Sequence, residues 1–272
     1  MATTPNDEEV RRAFDAAAVD FTALGRHLWG PIGAATVAAA DPKPGDRVLD
    51  ACCGTGASAV PAARSVGPGG LVDAVDRSGP MVEELRRHAS GLPQLHAHQA
   101  DVTTWDGAGY DVVVSALGIF FLPDMAAGAE RLIGAAREGG RVVFTIWRRG
   151  AMAAAGRHVY GAVAAATSAE PPPERKPRPV DEINQAEPYA GWLAARGLSD
   201  VDVRVNELRL TMTPDLAWLV VLGSGFRGAL AGLAPDTVET VRELYLGSLR
   251  DEGVDVLDAT TLIGVGTRGR HR

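Results

Sequence analysis

The chain has 272 residues, 46% of them apolar, and a formal net charge of -7. That length and composition supply a sizeable core, for one large domain or one domain with an insertion, and exclude global disorder. The acidic balance excludes a surface built to grip a phosphate backbone, and the lack of any run of 18 apolar residues excludes a membrane-spanning helix.

Residues 6–19 predict a helix, with Val10, Phe14, Ala17 and Ala18 at helical spacing after a cap at Asn6. A mixed segment and an alanine-rich helix follow, and the turn PKPGD (42–46) closes a helical N-terminal cap over residues 1–41. Alternation then sets in. Val48 and Leu49 open a short buried strand, 57–65 is helical, and 71–75 is a second strand. Ser78 caps a helix with Val82, Leu85 and Ala89 on one face. A weaker strand at 95–100 precedes the apolar strand YDVVVSA (110–116), an amphipathic helix at 124–137 and the strand RVVFTIW (141–147). This order implies a parallel sheet with helices on both faces over a core of residues 42–149.

The rhythm breaks after Trp147. An alanine-rich helix at 151–166 runs into SAEPPPERKPRPV (168–180), a proline-rich loop whose short basic cluster reads as solvated, so 150–185 is an insertion. Residues 188–196 are helical, and 201–205 is a strand expected to continue through Leu210 and Met212. The C-terminal part, 186–272, carries a helical insertion at about 213–255, with a capping box at Asp236 and Glu239. A last strand lies at 261–267.

The informative stretch is VLDACCGTG (48–56). Gly54, Gly56 and Ala59 match G-x-G-x-x-[GA], which fits both dinucleotides and S-adenosylmethionine (SAM). Asp50 separates the two. A carboxylate aimed into a pyrophosphate site is electrostatically wrong, whereas one beside an ammonium and a sulfonium is right. Asp76, about 20 residues on at a strand end, is placed to accept ribose hydroxyls.

Together these segments resemble the class I SAM-dependent methyltransferases, and VLDACCGTG with its cysteine pair is similar to the menaquinone and ubiquinone C-methyltransferase branch. The likeness continues through AVDRSGPMVEEL (74–85), HQADV (98–102), YDVVVSALGIFFLPD (110–124) and REGGRVVFTIW (137–147). It implies a doubly wound, seven-stranded α/β Rossmann-like sheet with the last strand antiparallel. It also implies SAM as cofactor, held by Asp50, Cys52, Gly54, Gly56, Asp76, Arg77, Met81, Asp101, Val102 and Ser115. By that match Asp76 takes the ribose, Met81 packs near the adenine, Asp101 reaches the adenine amino group, and backbone at Ser115 and Ala116 meets the methionine portion.

Each residue also has a plainer reading. Asp101 could simply cap a turn. Cys52 and Cys53 read as small packing residues, since no adjacent histidine activates a thiol and no further ligands nearby make a metal site; side by side, they cannot staple the fold, and with a polar N-terminus they point to a cytoplasmic protein. Of the six histidines, only His27 and His158 fall in segments that can cover the cofactor, and they are the candidate general bases. His88 sits on a surface helix, His96 and His98 on an edge strand, and His271 in the tail. Trp29, Phe120, Trp147 and Tyr160 are candidates for an apolar substrate cavity, against the alternative that they are core. Arg227 in GSGFRG is either a substrate-carboxylate clamp or a helix-end charge.

The expected activity is therefore methyl transfer from SAM to a small, fairly apolar molecule of specialised metabolism, at O, C or N, under a lid made by the N-terminal segment, 151–180 and 216–233. Nucleic acid is not an expected partner, and nucleobase methylation is disfavoured because SALG stands where a proline-rich run would follow the fourth strand. A second copy of the chain is the expected assembly partner. Three rivals stay open: a SAM-binding cyclase or pericyclase, an NAD(P)-dependent oxidoreductase, and a SAM-binding regulatory subunit. The histidine frequent in the quinone branch after the fourth strand is absent, with Ile119 and Phe120-Phe121 in its place.

Overall fold

The structure, a computed structural model, describes residues 7–169 and 177–269. The Asn6 cap, most of the proline-rich run and His271 lie outside the described residues. The first half contains α1 (Asp7–Leu24), α2 (Trp29–Ala40), β1 (Arg47–Ala51), α3 (Ala59–Val66), β2 (Leu71–Asp76), α4 (Gly79–His88), β3 (Leu95–Gln99), β4 (Tyr110–Ala116), α5 (Met125–Ala135) and β5 (Ala136–Trp147). The second half contains α6 (Ala153–Ala166), α7 (Pro179–Glu182), α8 (Ala186–Ala194), β6 (Leu198–Asn206), β7 (Arg209–Thr211), α9 (Pro214–Leu222), α10 (Pro235–Asp251), β8 (Val256–Asp258) and β9 (Thr261–Arg268).

Seven strands form one sheet in the order β3-β2-β1-β4-β5-β9-β6. The first five are mutually parallel, and β9 inserts antiparallel between β5 and β6. This is the doubly wound α/β sheet with an antiparallel last strand that the sequence implies. Period-two alternation splits the core across it. Leu49, Val113, Phe144 and Ile146 face α5 and α8, while Val48, Val112, Val114 and Val143 face α2, α3 and α4. Each fully buried aliphatic side chain there contributes about 1.5–3 kcal/mol. On the second face the Thr36 and Thr145 hydroxyls share a buried hydrogen bond of 2.7 Å, fixing α2 against β5.

Three expectations are corrected. The helix at 6–19 runs on to Leu24, because Phe21 and Leu24 extend its apolar stripe onto the protein. The strand expected to pass through Leu210 and Met212 ends at Asn206; β7 leaves the main sheet and pairs with β8 as a separate ribbon. The capping box at Asp236 and Glu239 does not form. Pro235, whose fixed φ suits the first helical position, starts α10 earlier with Ala234 as its cap. The Ser78 cap does form, its hydroxyl accepting from the Met81 N–H at 3.3 Å.

Helices α6, α9 and α10 pack together around Val159, Ala217, Val221, Val241 and Tyr245. Among the described residues no helix is long and apolar enough to cross a membrane.

Candidate active site

The C-terminal ends of β1, β2 and β4 meet at the glycine loop, where open α/β sheets bind ligands. Asp50 is the penultimate residue of β1 and is fully buried. Its Oδ2 accepts from the Ser58 hydroxyl at 2.7 Å, and its Oδ1 has no partner. Burial pushes this carboxyl up to about 7; the Ser58 hydroxyl opposes the rise, and nearby Asp76 adds to it. Among the described residues no cationic side chain pairs with it. A buried carboxylate oxygen left without a hydrogen bond is costly, so the site is built for a ligand that brings a donor or a positive charge.

Asp76 closes β2. It accepts from the Gly54 N–H at 2.8 Å and the Ser78 N–H at 2.9 Å, drawing the loop onto the second strand. Burial raises its carboxyl too, against these backbone bonds. Two acids at one mouth disfavour pyrophosphate and favour a cation.

The loop is shaped by close packing. At Gly56, φ is +93° and a Cβ would lie 2.3 Å from Leu85 Cδ1, so only glycine fits. At Gly33 of α2 a Cβ would lie 2.2 Å from the Ala57 carbonyl oxygen, so α2 presses directly on the loop. Cys52 sits at φ +60° and packs against Gly118, where a Cβ would meet both Cys52 Cβ and the Ser115 hydroxyl. Burial raises both thiols, as befits packing residues and not nucleophiles. The Ser115 hydroxyl is buried and has no partner, a second unsatisfied polar atom at the strand ends.

At the β2–β3 side, Asp101 Oδ1 accepts from both the Thr103 N–H at 2.8 Å and the Thr103 hydroxyl at 2.6 Å, the turn-capping geometry. Burial opposes ionisation there, yet the Thr103 bonds and Arg77, 3.7 Å away, leave the carboxyl below its ordinary value. A shallow opening of about 280 Å³ is lined by Arg11, Arg77, Gln99, Ala100 and Asp101. Val102 is buried in the core beside it. Met81 is buried beneath Ala17, Ala18, Phe14 and Phe21 of α1.

Trp29, Phe120 and Trp147 come together in an apolar cluster with Leu117, Met152 and Leu28, capping the ends of β4 and β5. Phe21 stacks on Trp29 with ring centroids 4.5 Å apart, and it also reaches Gly54. Tyr160 is not in this cluster. It is 43% exposed, edge-on to Phe226 on the outer side. Arg227 is an ion-pair partner of Asp20, so it joins the 225–230 turn to α1 and is not held open as a clamp.

The two candidate bases each have side-chain partners. His27 Nε2 accepts from the Arg26 guanidinium at 2.8 Å at the surface, so its lone pair is engaged. His158 is buried between α6 and α10, with Nδ1 2.9 Å from the Ser248 hydroxyl and Nε2 3.2 Å from Glu252. Both histidines are thus held by neighbouring side chains.

The sequence puts Phe14 on the first helix and the N-terminal segment in the lid, but does not show the contacts that α1 makes. The Ser78 hydroxyl donates to Asp15 at 2.6 Å, and Phe14 meets Phe121 edge-on at 5.1 Å, so α1 covers the loop. The available signal was Phe14 and Phe21 seven apart on one helical stripe.

A family model described as a methyltransferase domain matches residues 48–140. The chain is 34% identical over 149 residues to the aklanonic acid methyltransferase DauC of Streptomyces sp. (strain C5), covering 53% of this chain and 68% of that protein. It is 33% identical over 136 residues to the nocamycin O-methyltransferase of Saccharothrix syringae, covering 48% and 49%, so it spans about half of that relative's length. Among solved structures it is similar to the YcgJ protein of Bacillus, with a TM-score of 0.56 over 89% of this chain and 99% of the other, at 15% identity, a likeness of fold.

Proposed function

The chain belongs to the class I SAM-dependent methyltransferases, and from that premise we propose that it methylates an oxygen of a small, largely apolar acceptor carrying an already acidic group. The observation that carries this reading is the Trp29, Phe120 and Trp147 cluster, an apolar wall beside the glycine loop, while His27 is bonded to Arg26 and His158 to Ser248 and Glu252. A carboxylic acid or acidic phenol arrives deprotonated near neutral pH and needs no base. The relatives' names, which specify an acid in one case and O-methylation in the other, support this acceptor over a quinone ring carbon.

When bound, SAM supplies an activated methyl group on a sulfonium leaving group. In this reading Asp50 takes the ligand's ammonium, its orphaned Oδ1 gaining the missing partner. The backbone from Cys52 to Gly56 and the Ser115 hydroxyl line the methionine portion, and Asp76 accepts the ribose hydroxyls. Arg77, Met81, Asp101 and Val102 border the adenine. The aromatic wall orients the acceptor and excludes water, and such alignment contributes on the order of 7–11 kcal/mol. Helices α1, α6, α9 and the 225–230 turn, tied by Asp20 and Arg227, act as the lid.

Incubation of the chain with methyl-labelled SAM and a panel of polycyclic aromatic acids and phenols tests this. Label in a methyl ester or ether, with matching release of S-adenosylhomocysteine, is the expected result. Label on carbon overturns the oxygen assignment. Turnover of acceptor without any gain of mass favours the cyclase alternative.

A further inference from the structure

On the opposite face of β2 from Asp76, three ligand-type side chains converge at the edge of the sheet. His96 and His98 are two apart on β3 and share a face, and His96 is paired in register with Asp73 on β2. One ligand atom from each lies within 4.8 Å of the other two. His98 Nε2 is 2.9 Å from Asp73 Oδ1.

Asp73 is held from behind. Its Oδ2 accepts from the Tyr110 hydroxyl at 2.9 Å, and that hydroxyl accepts from the Trp105 indole N–H at 3.1 Å. The His98 ring leans on Trp105 at a centroid distance of 4.9 Å. Asp73 is buried, His98 half-buried and His96 exposed, so the group opens to solvent on one side only. The Arg47 guanidinium lies over the outer face of the Tyr110 ring, 5.1 Å from its centre.

A simple Asp–His hydrogen bond accounts for Asp73 and His98, but not for a second imidazole brought to the same point. Two imidazoles and a carboxylate, with the carboxylate oriented by its own hydrogen-bond chain, is a ligand set for a first-row divalent metal with water in the remaining position. Tetrahedral bonds of about 2.0–2.2 Å to zinc separate ligand atoms by roughly 3.3–3.6 Å, which the side-chain torsions of the exposed His96 can reach beside the already adjacent Asp73 and His98. The geometry points to a zinc-type site at Asp73, His96 and His98 that staples the edge strand β3 to β2, on the opposite face of β2 from Asp76.

The test uses the untagged, metal-stripped chain, titrated with Zn²⁺ by calorimetry and with Co²⁺ by its visible absorption. One equivalent of Zn²⁺ is expected, with a rise in melting temperature on loading. H96Q and H98Q should each weaken Zn²⁺ binding at least tenfold and abolish that rise, while H88Q, on exposed helix surface, should match the parent. Asp73 is buried, so its substitution is secondary. Circular dichroism and unchanged SAM binding in H96Q and H98Q separate loss of metal from loss of fold. Failure of the parent to take up stoichiometric Zn²⁺, or affinity that survives in either variant, overturns the site.

Discussion

The Ser58 hydroxyl donates to Asp50 across the glycine loop at 2.7 Å and leaves the other oxygen of a fully buried carboxylate without a partner. A protein that buries an acid in this way either protonates it or supplies a cation from outside. Asp50 does the first without ligand and the second with it.

Without ligand, the Asp50 carboxyl keeps its proton up to about 7, whereas in the unfolded chain it loses the proton near 3.8. Between those values the folded state binds more protons at this residue, so Asp50's own contribution to stability should fall as pH rises from about 4 to about 7. Asp50→Asn should flatten that slope. Denaturant unfolding at several pH values checks it, and an unchanged slope refutes the assignment. For the same reason, SAM binding near pH 6 should release a proton, visible as a buffer-dependent heat.

Gly33 and Gly56 should tolerate no side chain. A Cβ at either position lies within 2.3 Å of existing atoms, and Gly56 adds a positive φ. Gly33→Ala and Gly56→Ala should each cost at least about 1–3 kcal/mol, lowering the melting temperature by about 2–4 °C for each kcal/mol. Thermal unfolding reads this directly.

His158 should prove structural. Removing it takes one partner from the Ser248 hydroxyl, which keeps the Tyr245 carbonyl, and one from Glu252, which keeps Arg157, so His158→Ala should cost about 0.5–1.5 kcal/mol while leaving the shape of the pH–rate profile unchanged. Loss of one limb of that profile would restore it as a base.

Trp29→Ala and Trp147→Ala should raise KM for the acceptor several-fold while SAM affinity changes little. Tyr160→Ala, outside the cluster, should change neither. Steady-state kinetics with each substrate varied in turn separate the two effects.

What was legible in the sequence was local. Asp50, Gly54, Gly56 and Asp76 stand at strand ends that the apolar pattern locates, so their grouping followed from the alternation of strands and helices. What depended on distant partners was not legible. Asp15 meets Ser78 from 63 residues away, and His158 meets Ser248 from 90. Asp73, His96 and His98 became a group only once β2 and β3 were paired in register. Arg227 looked like an available cation until α1 supplied Asp20. The strand projected through Leu210 failed because alternation does not say which sheet a strand joins.

Asp50 makes this loop a site for a cationic cofactor. The most direct test is calorimetric titration of SAM and of NAD⁺ into the parent chain and into Asp50→Ala, with folding checked by circular dichroism. The parent should bind SAM and not NAD⁺, and Asp50→Ala should lose about 10–100-fold in SAM affinity, the worth of a charge-assisted hydrogen bond. NAD⁺ binding without SAM binding, or SAM affinity that survives in Asp50→Ala, would contradict it.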